Sequence, residues 1–232
     1  MKVTLVTTAL NEAESLPLLL QDVLAQTLPP DEFVFVDGGS NDGTPVIVED
    51  YRARLQSQGV ALKLLSRPGL NIAQGRNAAI NNASHDCICG SDAGCRLDSH
   101  WCDNITRPIR HQEADLVGGF YRPVAHSRFQ RILAAVSTTP DPAPGFLPSS
   151  RSIAFTRRAW RKAGGYPESL PWGEDTLFNE RCLEAGARYV VAPDAIVHWE
   201  VRRGLNAALR QFYQYAFGDG LRRRLSASLT AD

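Results

Sequence analysis

Short apolar runs alternate with amphipathic segments through the first 90 residues of the chain. Apolar runs of this length are typical of buried strands, and apolar residues spaced three and four apart are typical of helices. Strands are therefore predicted over residues 2–8, 32–36, 61–65 and 85–90, and helices over residues 12–26, 45–56 and 73–82. Repeated strand–helix units with short links predict an α/β fold with a mostly parallel sheet flanked by helices.

Polar and small residues mark the predicted helix starts. Asn11 is a natural N-cap for the first helix, and Thr44 followed by Pro45 is typical of a helix start. Four prolines and one glycine in residues 138–150 predict a loop. A loop of this length in a compact domain is either a lid over a binding site or a surface excursion, and both remain open.

The alternation of strands and helices becomes less regular after Asp92. Helices are predicted over residues 99–110, 127–137, 174–185 and 205–217, with strands over 115–121 and 152–156 and a strand pair over 189–198. The 232 residues are 44% hydrophobic and 22% charged, which is typical of one folded domain with a substantial core. Lys and Arg together number 25, as do Asp and Glu, so the balanced charge argues against a nucleic acid partner.

The cysteines and the apolar segments indicate in which cellular compartment the protein is expected. The five cysteines are an odd number and do not resemble a disulfide framework, so reduced thiols are expected. Cys87 and Cys89 alternate along a predicted buried strand and favour packing over zinc binding. Since no stretch reaches the roughly 20 apolar residues of a membrane span and the first residues lack the pattern of a signal peptide, we expect a cytoplasmic protein, soluble or peripheral at the inner membrane face.

Two aspartates stand where predicted strands end. Asp37 begins a Gly-rich turn after one apolar run, and Asp92 follows another. Because ligands of open α/β sheets gather at the carboxyl ends of strands, both side chains are expected at one crevice. Such a pair suits a nucleotide diphosphate, since one carboxylate accepts from the base or ribose and the other holds a cation against phosphate.

Six short motifs in a characteristic order extend through nearly the whole chain. They are TTALNEAES at residues 7–15, VDGGSNDGT at 36–44, NIAQGRNAAI at 71–80, SDAGC at 91–95, GGYPESLPWGEDTLF at 164–178 and HWEVRRG at 198–204. With these motifs the chain resembles a family 2 glycosyltransferase of the GT-A fold. The resemblance implies one GT-A domain, with a nucleotide-binding half (1–95), an acceptor-binding half (96–204) and a C-terminal helix and tail (205–232).

The resemblance also implies an activity. Such an enzyme moves a sugar from a nucleotide-diphosphate sugar donor to an acceptor hydroxyl with inversion, in the biosynthesis of a cell envelope polysaccharide or glycolipid. Two other functions remain open from the residues themselves. One is a non-catalytic nucleotide-sugar-binding protein, and the other is a sugar-phosphate nucleotidyltransferase, which usually carries a Gly-rich signature directly after the first strand.

In the nucleotide-binding half, the resemblance places Thr8, Leu10 and Glu12 against the base and ribose. It places Asp37 where a carboxylate receives a base N–H. The alternative for Thr8 and Asp37 is turn and strand-end chemistry, in which Asp37 accepts from neighbouring backbone N–H groups. The usual motif has a second acid after Asp37, and Gly38 stands there instead.

A cation and a metal motif are implied beside the diphosphate. Arg76 offers a fork of N–H donors suited to phosphate, and its alternative is pairing with a surface acid. Asp92 matches the first acid of a DxD motif that holds Mg²⁺ or Mn²⁺. Gly94 replaces the second acid. His198 is therefore the leading further metal ligand, and a buried histidine bonded to backbone is equally open.

The catalytic base is implied in the second half. Asp175 matches the residue that takes the acceptor proton, and Glu174 is a neighbour that positions the sugar. The alternative for Asp175 is stabilisation of a helix N-terminus by a carboxylate in its first turn.

The last predicted helix mixes aromatic and apolar residues and is followed by basic residues at 222–224. This mixture is typical of a helix on a membrane surface, where a lipid-linked acceptor would be met. A packing helix with a solvated basic end explains the pattern equally well.

Overall fold

A computed structural model describes residues 1–138, 142 and 145–229, with side chains as far as residue 222. Its strands form one eight-stranded sheet in the order β3-β2-β1-β4-β7-β6-β8-β5. The strands are β1 (Val3–Ala9), β2 (Glu32–Asp37), β3 (Ala61–Ser66), β4 (Cys87–Gly90), β5 (Cys95–Leu97), β6 (Leu116–Val124), β7 (Ile153–Thr156) and β8 (Tyr189–Glu200). The helices are α1 (Leu16–Leu24), α2 (Thr44–Asp50), α3 (Arg52–Ser57), α4 (Ile72–Asn82), α5 (Trp101–Arg110), α6 (Arg128–Ser137), α7 (Arg157–Lys162), α8 (Glu174–Glu184) and α9 (Leu205–Leu229).

The first four strands in the sheet order are parallel. Strand β1 pairs with β2 on one side and with β4 on the other, and β2 pairs with β3. The carboxyl ends of β1, β2 and β4 consequently lie at one edge of the sheet, as predicted from the alternating pattern. The apolar side of α1 and the buried residues of α4 pack into two core clusters with these strands.

The remaining strands mix directions. Pairings β4–β7, β6–β7 and β5–β8 are antiparallel, whereas β6–β8 is parallel. The predicted strand pair at 189–198 is wrong, because those residues form the single strand β8. A register shift in its pairing with β6, between Gly118 and Phe120, divides it into two paired stretches.

The turns after β1 and β2 differ from the prediction. Helix α1 begins at Leu16, and Asn11 does not cap it, since Asn11 lies in a turn with φ 57°. Thr44 is the first residue of α2 and not its cap, because Gly43 precedes it with φ 94°, a value that favours glycine. The predicted helix 45–56 is interrupted at Tyr51 and forms α2 and α3.

Three short or extended elements were not predicted. Strand β5 and helix α7 are three and six residues long, too short for a periodic pattern. Helix α9 continues beyond the predicted end at residue 217. Residues 139–141 and 143–144 of the predicted loop lie outside the described residues.

The five cysteines are free and buried in the core, consistent with the expected packing role. Burial raises the pKa of the Cys87 thiol to about 12, so it remains protonated at neutral pH. Among the described helices, none combines the length and the apolar character that a bilayer span requires.

Candidate functional site

The turn after β1 is tied to the turn after β2 at the carboxyl edge of the sheet. The Glu12 N–H donates to Thr44 Oγ1 at 2.9 Å, and the Asn41 N–H donates to Asn11 Oδ1 at 3.0 Å. Backbone N–H groups of one turn are therefore satisfied by side chains of the other. This exchange explains why residues 12–15 do not extend α1.

The structure brings the predicted base and ribose residues to this edge. Thr8 lies at the end of β1, and its side chain packs so closely against Gly75 of α4 that a Cβ there would overlap the Thr8 hydroxyl. Leu10 is 57% exposed at the surface of the turn. The Glu12 carboxylate lies 3.8 Å from the place that a Cβ on Gly94 would take, so the turn after β1 faces the 91–95 turn.

Asp37 is buried at the end of β2 and accepts hydrogen bonds within its own turn. The Gly39 and Ser40 N–H groups donate to its carboxylate at 3.1 and 3.2 Å. The contacts of the turn-chemistry alternative are therefore present. An ionised carboxylate has about four acceptor positions. A further donor from a ligand is compatible with these bonds, so the base contact of Asp37 stays a prediction.

Arg76 joins two of the predicted acids. It is 7% exposed on α4 and donates to Asp92 Oδ1 at 2.8 Å and to Glu174 Oε1 at 2.5 Å. Its guanidinium also lies 5.5 Å from the centre of the Tyr166 ring. Arg76 thus pairs with candidate site acids rather than with a surface acid. Through Arg76 the 91–95 turn is connected to the start of α8, which is far away in sequence.

Glu174 is the more deeply buried of these acids. Burial raises the pKa of its carboxyl, the Arg76 guanidinium opposes that rise, and the neighbouring Asp175 charge adds to it. Helix α8 begins after Gly173, whose φ of 76° is in the left-handed region. Gly173 therefore lets the chain turn into α8, whose first turn carries the buried Glu174 and the half-buried Asp175.

Asp175 lies beside the segment that leads into β7. Its Oδ1 accepts from the Thr176 N–H at 2.8 Å, and its Oδ2 lies 3.4 Å from the Ser150 N–H. The first contact belongs to the helix start, as the capping alternative requires. The second contact places Asp175 against Ser150, and Asp175 directly follows Glu174 of the Arg76 cluster.

A second cation, Arg151, was missed by the sequence reasoning. Its guanidinium lies 4.5 Å from the centre of the Trp199 ring and 5.8 Å from that of Tyr121, and it donates to Tyr215 Oη at 3.1 Å. These partners come from β8, β6 and α9, so sequence spacing gives no sign of them. The available signal was a charged residue directly before the buried run that forms β7.

Helix α9 packs against the lead-in to α8. A Cβ added at Gly218 would lie 2.6 Å from the Trp172 carbonyl oxygen, so only glycine allows this approach. The rings of Trp172 and Phe217 meet edge to face at 5.8 Å between centroids. The packing role considered for this helix is therefore present. Several apolar residues of α9 nevertheless remain exposed, namely Leu205, Leu209, Phe212 and Tyr213.

His198 lies in β8, where its cross-strand neighbours are Arg96 of β5 and Arg122 of β6. Among the described residues, no group of three or more His, Cys, Asp and Glu side chains is placed to hold a metal ion. Asp92 Oδ1 is engaged by Arg76, and the Asp92 side chain is 33% exposed. Mg²⁺ in phosphate-binding sites is commonly held by one or two carboxylates together with substrate phosphates and water. The residues thus fit a cation that binds together with a diphosphate.

The chain matches the model of one protein family, described as Glycosyl transferase family 2, over residues 4–162. This match spans well over half of the chain and includes Asp37, Arg76 and Asp92. Glu174 and Asp175 lie beyond it.

Two curated relatives are distant in sequence. The O-antigen chain rhamnosyltransferase RfbN of Salmonella typhimurium is 22% identical over 95% of this chain and 72% of the relative. Glycosyltransferase AglE of Haloferax volcanii is 25% identical over 80% of this chain and 62% of the relative.

Two solved structures share the fold. TarS 1–349 of S. aureus in complex with UDP superposes with a TM-score of 0.67 at 21% identity, covering 87% of this chain and 61% of that one. Mannosyltransferase PcManGT of Pyrobaculum calidifontis, in complex with GDP-Man and Mn²⁺, gives 0.67 at 23% identity, covering 89% and 59%. This chain therefore spans about three fifths of each of these two structures, and the likeness identifies the GT-A fold.

Proposed function

The chain belongs to glycosyl transferase family 2, and we propose that it transfers a sugar from a nucleotide-diphosphate sugar to an acceptor hydroxyl with inversion. One observation carries this proposal. Arg76 links Asp92, at the carboxyl edge of the sheet, with Glu174, which precedes Asp175. The acids that the sequence placed in separate segments thus belong to one cluster.

The nucleotide is proposed to bind along the edge formed by β1 and β2. Thr8, Leu10 and Glu12 would contact the base and ribose, and Asp37 would accept from a base N–H in addition to its own turn. The solved structures of TarS with UDP and of PcManGT with GDP-Man support a nucleotide-sugar donor for this chain. The proposed division is a nucleotide-binding half (1–95), an acceptor-binding half (96–204) and a C-terminal helix and tail (205–232).

In the proposed reaction, Asp175 is the general base. The acceptor oxygen forms a bond to the anomeric carbon while the bond from that carbon to the phosphate oxygen breaks. The acceptor proton passes to the Asp175 carboxylate, and the nucleoside diphosphate leaves with the bonding electron pair. Glu174 and Arg76 hold the start of α8 in place, so that Asp175 meets the acceptor in one orientation.

A divalent cation, Mg²⁺ or Mn²⁺, is proposed to be held by Asp92 together with the donor phosphates. When bound, the cation would neutralise charge on the diphosphate. His198 remains a candidate ligand, although its two arginine neighbours across the sheet disfavour a cation there. In an Asp92→Ala variant, donor affinity should no longer respond to added Mn²⁺, and an unchanged response would exclude this role of Asp92.

The acceptor is proposed to be part of a cell envelope polysaccharide or glycolipid, as the O-antigen relative suggests. A lipid-linked acceptor would place the enzyme on the cytoplasmic membrane face, with the exposed apolar residues of α9 in contact with lipid. Cosedimentation with anionic liposomes tests this contact. Absence of liposome binding at low salt would exclude the proposed contact of α9 with lipid.

The function is tested by incubating the protein with UDP-, GDP- and TDP-sugars and measuring the release of nucleoside diphosphate. We expect turnover with at least one donor. Asp175→Asn should retain donor affinity and lose turnover by about 10²–10⁴-fold, the usual contribution of a general base. Asp194→Asn is the control and should keep normal turnover, because Asp194 is an exposed aspartate of β8 between its two paired stretches.

Near-normal turnover of Asp175→Asn would exclude the assignment of the base. Donor binding by the wild type without turnover would favour the nucleotide-sugar-binding protein. Formation of pyrophosphate from a nucleoside triphosphate and a sugar phosphate would favour the nucleotidyltransferase.

A further inference from the structure

The half-buried Arg151 differs from Arg76, the other cation of the site, in the chemistry of its partners. Both ion pairs of Arg76 are with carboxylates. The two hydrogen bonds of the Arg151 guanidinium within the described part of the chain go to neutral oxygens, Ser149 Oγ at 3.2 Å and Tyr215 Oη at 3.1 Å.

Aromatic rings provide the remaining surroundings of Arg151. The Trp199 ring lies below the guanidinium, and the Tyr121 ring lies further away. Such contacts stabilise a cation by a modest amount and do not neutralise its charge. Among the described residues no carboxylate oxygen is within 4.0 Å of the Arg151 guanidinium, so its charge remains available to an anion.

The position of Arg151 relates it to the proposed donor site. Its neighbour Ser150 contacts the Asp175 carboxylate through the backbone N–H. Trp199, on whose ring the Arg151 guanidinium lies, pairs across the sheet with Cys95 at the end of the 91–95 turn. Burial acts to lower the pKa of Arg151, but nearby groups, Tyr215 and Asp92 among them, raise it overall. Arg151 is thus connected to the proposed base through its neighbour Ser150 and to the 91–95 turn through Trp199.

Arg151 retains unused hydrogen-bonding capacity. A guanidinium has five N–H donors in a planar fork, and the two bonds described above engage two of them. A planar fork matches two phosphate oxygens at once. Arg76 has less to offer an anion, because its charge is shared by two acids.

On this basis we propose that Arg151 binds the diphosphate of the donor and stabilises the charge that the departing nucleoside diphosphate acquires. This inference rests on the proposed function. Arg151 compensates for the absent acid at Gly94, since a site with one fewer carboxylate holds metal less strongly and gains more from a fixed cation. Tyr215 makes α9 part of the donor site, because its hydroxyl accepts from the same guanidinium.

The test compares the affinities of the wild type and of Arg151→Gln for UDP, GDP, TDP and the matching nucleosides by isothermal titration calorimetry. Hydrogen bonds to charged groups contribute about 1.5–3 kcal/mol, so Arg151→Gln should weaken diphosphate binding by about 10- to 150-fold. Nucleoside affinity should remain within about twofold, because the base and ribose are bound elsewhere. Arg151→Lys should fall between the two, since it keeps the charge and loses the fork.

Arg54→Gln is the matched control. Arg54 also lies over a tyrosine ring, that of Tyr51 at 4.6 Å, and it is on α3 outside the site. Its replacement removes one positive charge and one ring contact, and it should leave diphosphate affinity unchanged. Tyr215→Phe provides a second test that leaves Arg151 in place, with an expected weakening of about 2- to 10-fold, because Tyr215 Oη no longer accepts from the guanidinium and the fork is held less firmly.

The outcomes separate this inference from the function on which it rests. If the wild type binds a nucleoside diphosphate and both Arg151→Gln and Tyr215→Phe bind it within twofold of wild type, the role of Arg151 is overturned and the function stands. If those variants change only the acceptor KM, the anion belongs to the acceptor and the inference is again overturned. If the wild type binds none of the nucleoside diphosphates, the function and the inference both fail.

Discussion

Replacing Arg76 by glutamine is expected to destabilise the protein, because it leaves two carboxylates without their shared cation. Glu174 is the more costly of the two, since the Arg76 and Glu174 side chains are both 9% exposed. Removing one partner of a buried ion pair costs about 3–5 kcal/mol in free energy of unfolding. The Asp92 side chain is 33% exposed, so solvent screens its charge. Loss of the Arg76–Asp92 pair should therefore cost no more than about 1 kcal/mol. The expected total is about 4 kcal/mol.

Urea denaturation at pH 7, followed by circular dichroism, measures this cost. Arg76→Gln combined with Glu174→Gln should recover about half of the lost stability, because the unpaired buried charge is then absent. The cost of Arg76→Gln alone should also shrink as the pH falls towards 5. Burial already raises the pKa of Glu174, and the loss of the opposing guanidinium allows it to protonate more readily.

Arg52→Gln is the control for the substitution itself. Arg52 pairs with Glu49 at 2.6 Å on the surface, where such pairs contribute less than about 1 kcal/mol. A loss of less than 1 kcal/mol for Arg76→Gln, equal to that of Arg52→Gln and independent of Glu174, would refute the view that Arg76 holds the cluster together.

Two further predictions concern the sheet and the last helix. Burial acts to raise the pKa of Glu32, but hydrogen bonds from Lys63, Ser84 and Thr4 outweigh it and lower the pKa from 4.5 to about 2. The ionised Glu32 should therefore add about 3 kcal/mol to the free energy of unfolding above pH 5. This stabilisation should be lost as the pH falls through 2. Glu32→Gln should flatten this part of the stability curve measured by urea denaturation, and an unchanged curve would contradict the assignment. Gly218→Ala should destabilise the protein by about 1–3 kcal/mol, because the new Cβ would overlap the Trp172 carbonyl oxygen. At Gly220 a Cβ would have no neighbour within 4 Å, so Gly220→Ala should stabilise the helix by up to about 1 kcal/mol. Equal melting temperatures for the two alanine variants would show that the approach at residue 218 is not constrained.

Local patterns were sufficient to predict most of the sheet. The apolar runs of β1, β2 and β4 are fully or largely buried, whereas β3 is buried only at Leu62. Helical segments separate the four runs, so their parallel order follows from the alternation. The short strand β5 and the register shift in β8 could not be predicted, because both depend on pairing with strands that are distant in sequence.

The candidate site shows the same division between local and long-range information. Asp37 and Asp92 were identifiable because each follows a predicted strand, whereas Asp175 was indicated by the family resemblance alone. The partners of Arg76 were not identifiable, since one acid is 16 positions away and the other is 98. Arg151 was missed for a similar reason, because Tyr121, Trp199 and Tyr215 converge on it only in the folded chain.

The most direct measurement for the central claim is a crystal structure of the protein with a bound nucleoside diphosphate and Mn²⁺. The base and ribose should lie along residues 8–12 and Asp37, and the diphosphate should lie between Asp92 and Arg151. A nucleotide ordered on another surface, away from both Asp92 and Asp175, would contradict a shared donor and catalytic site.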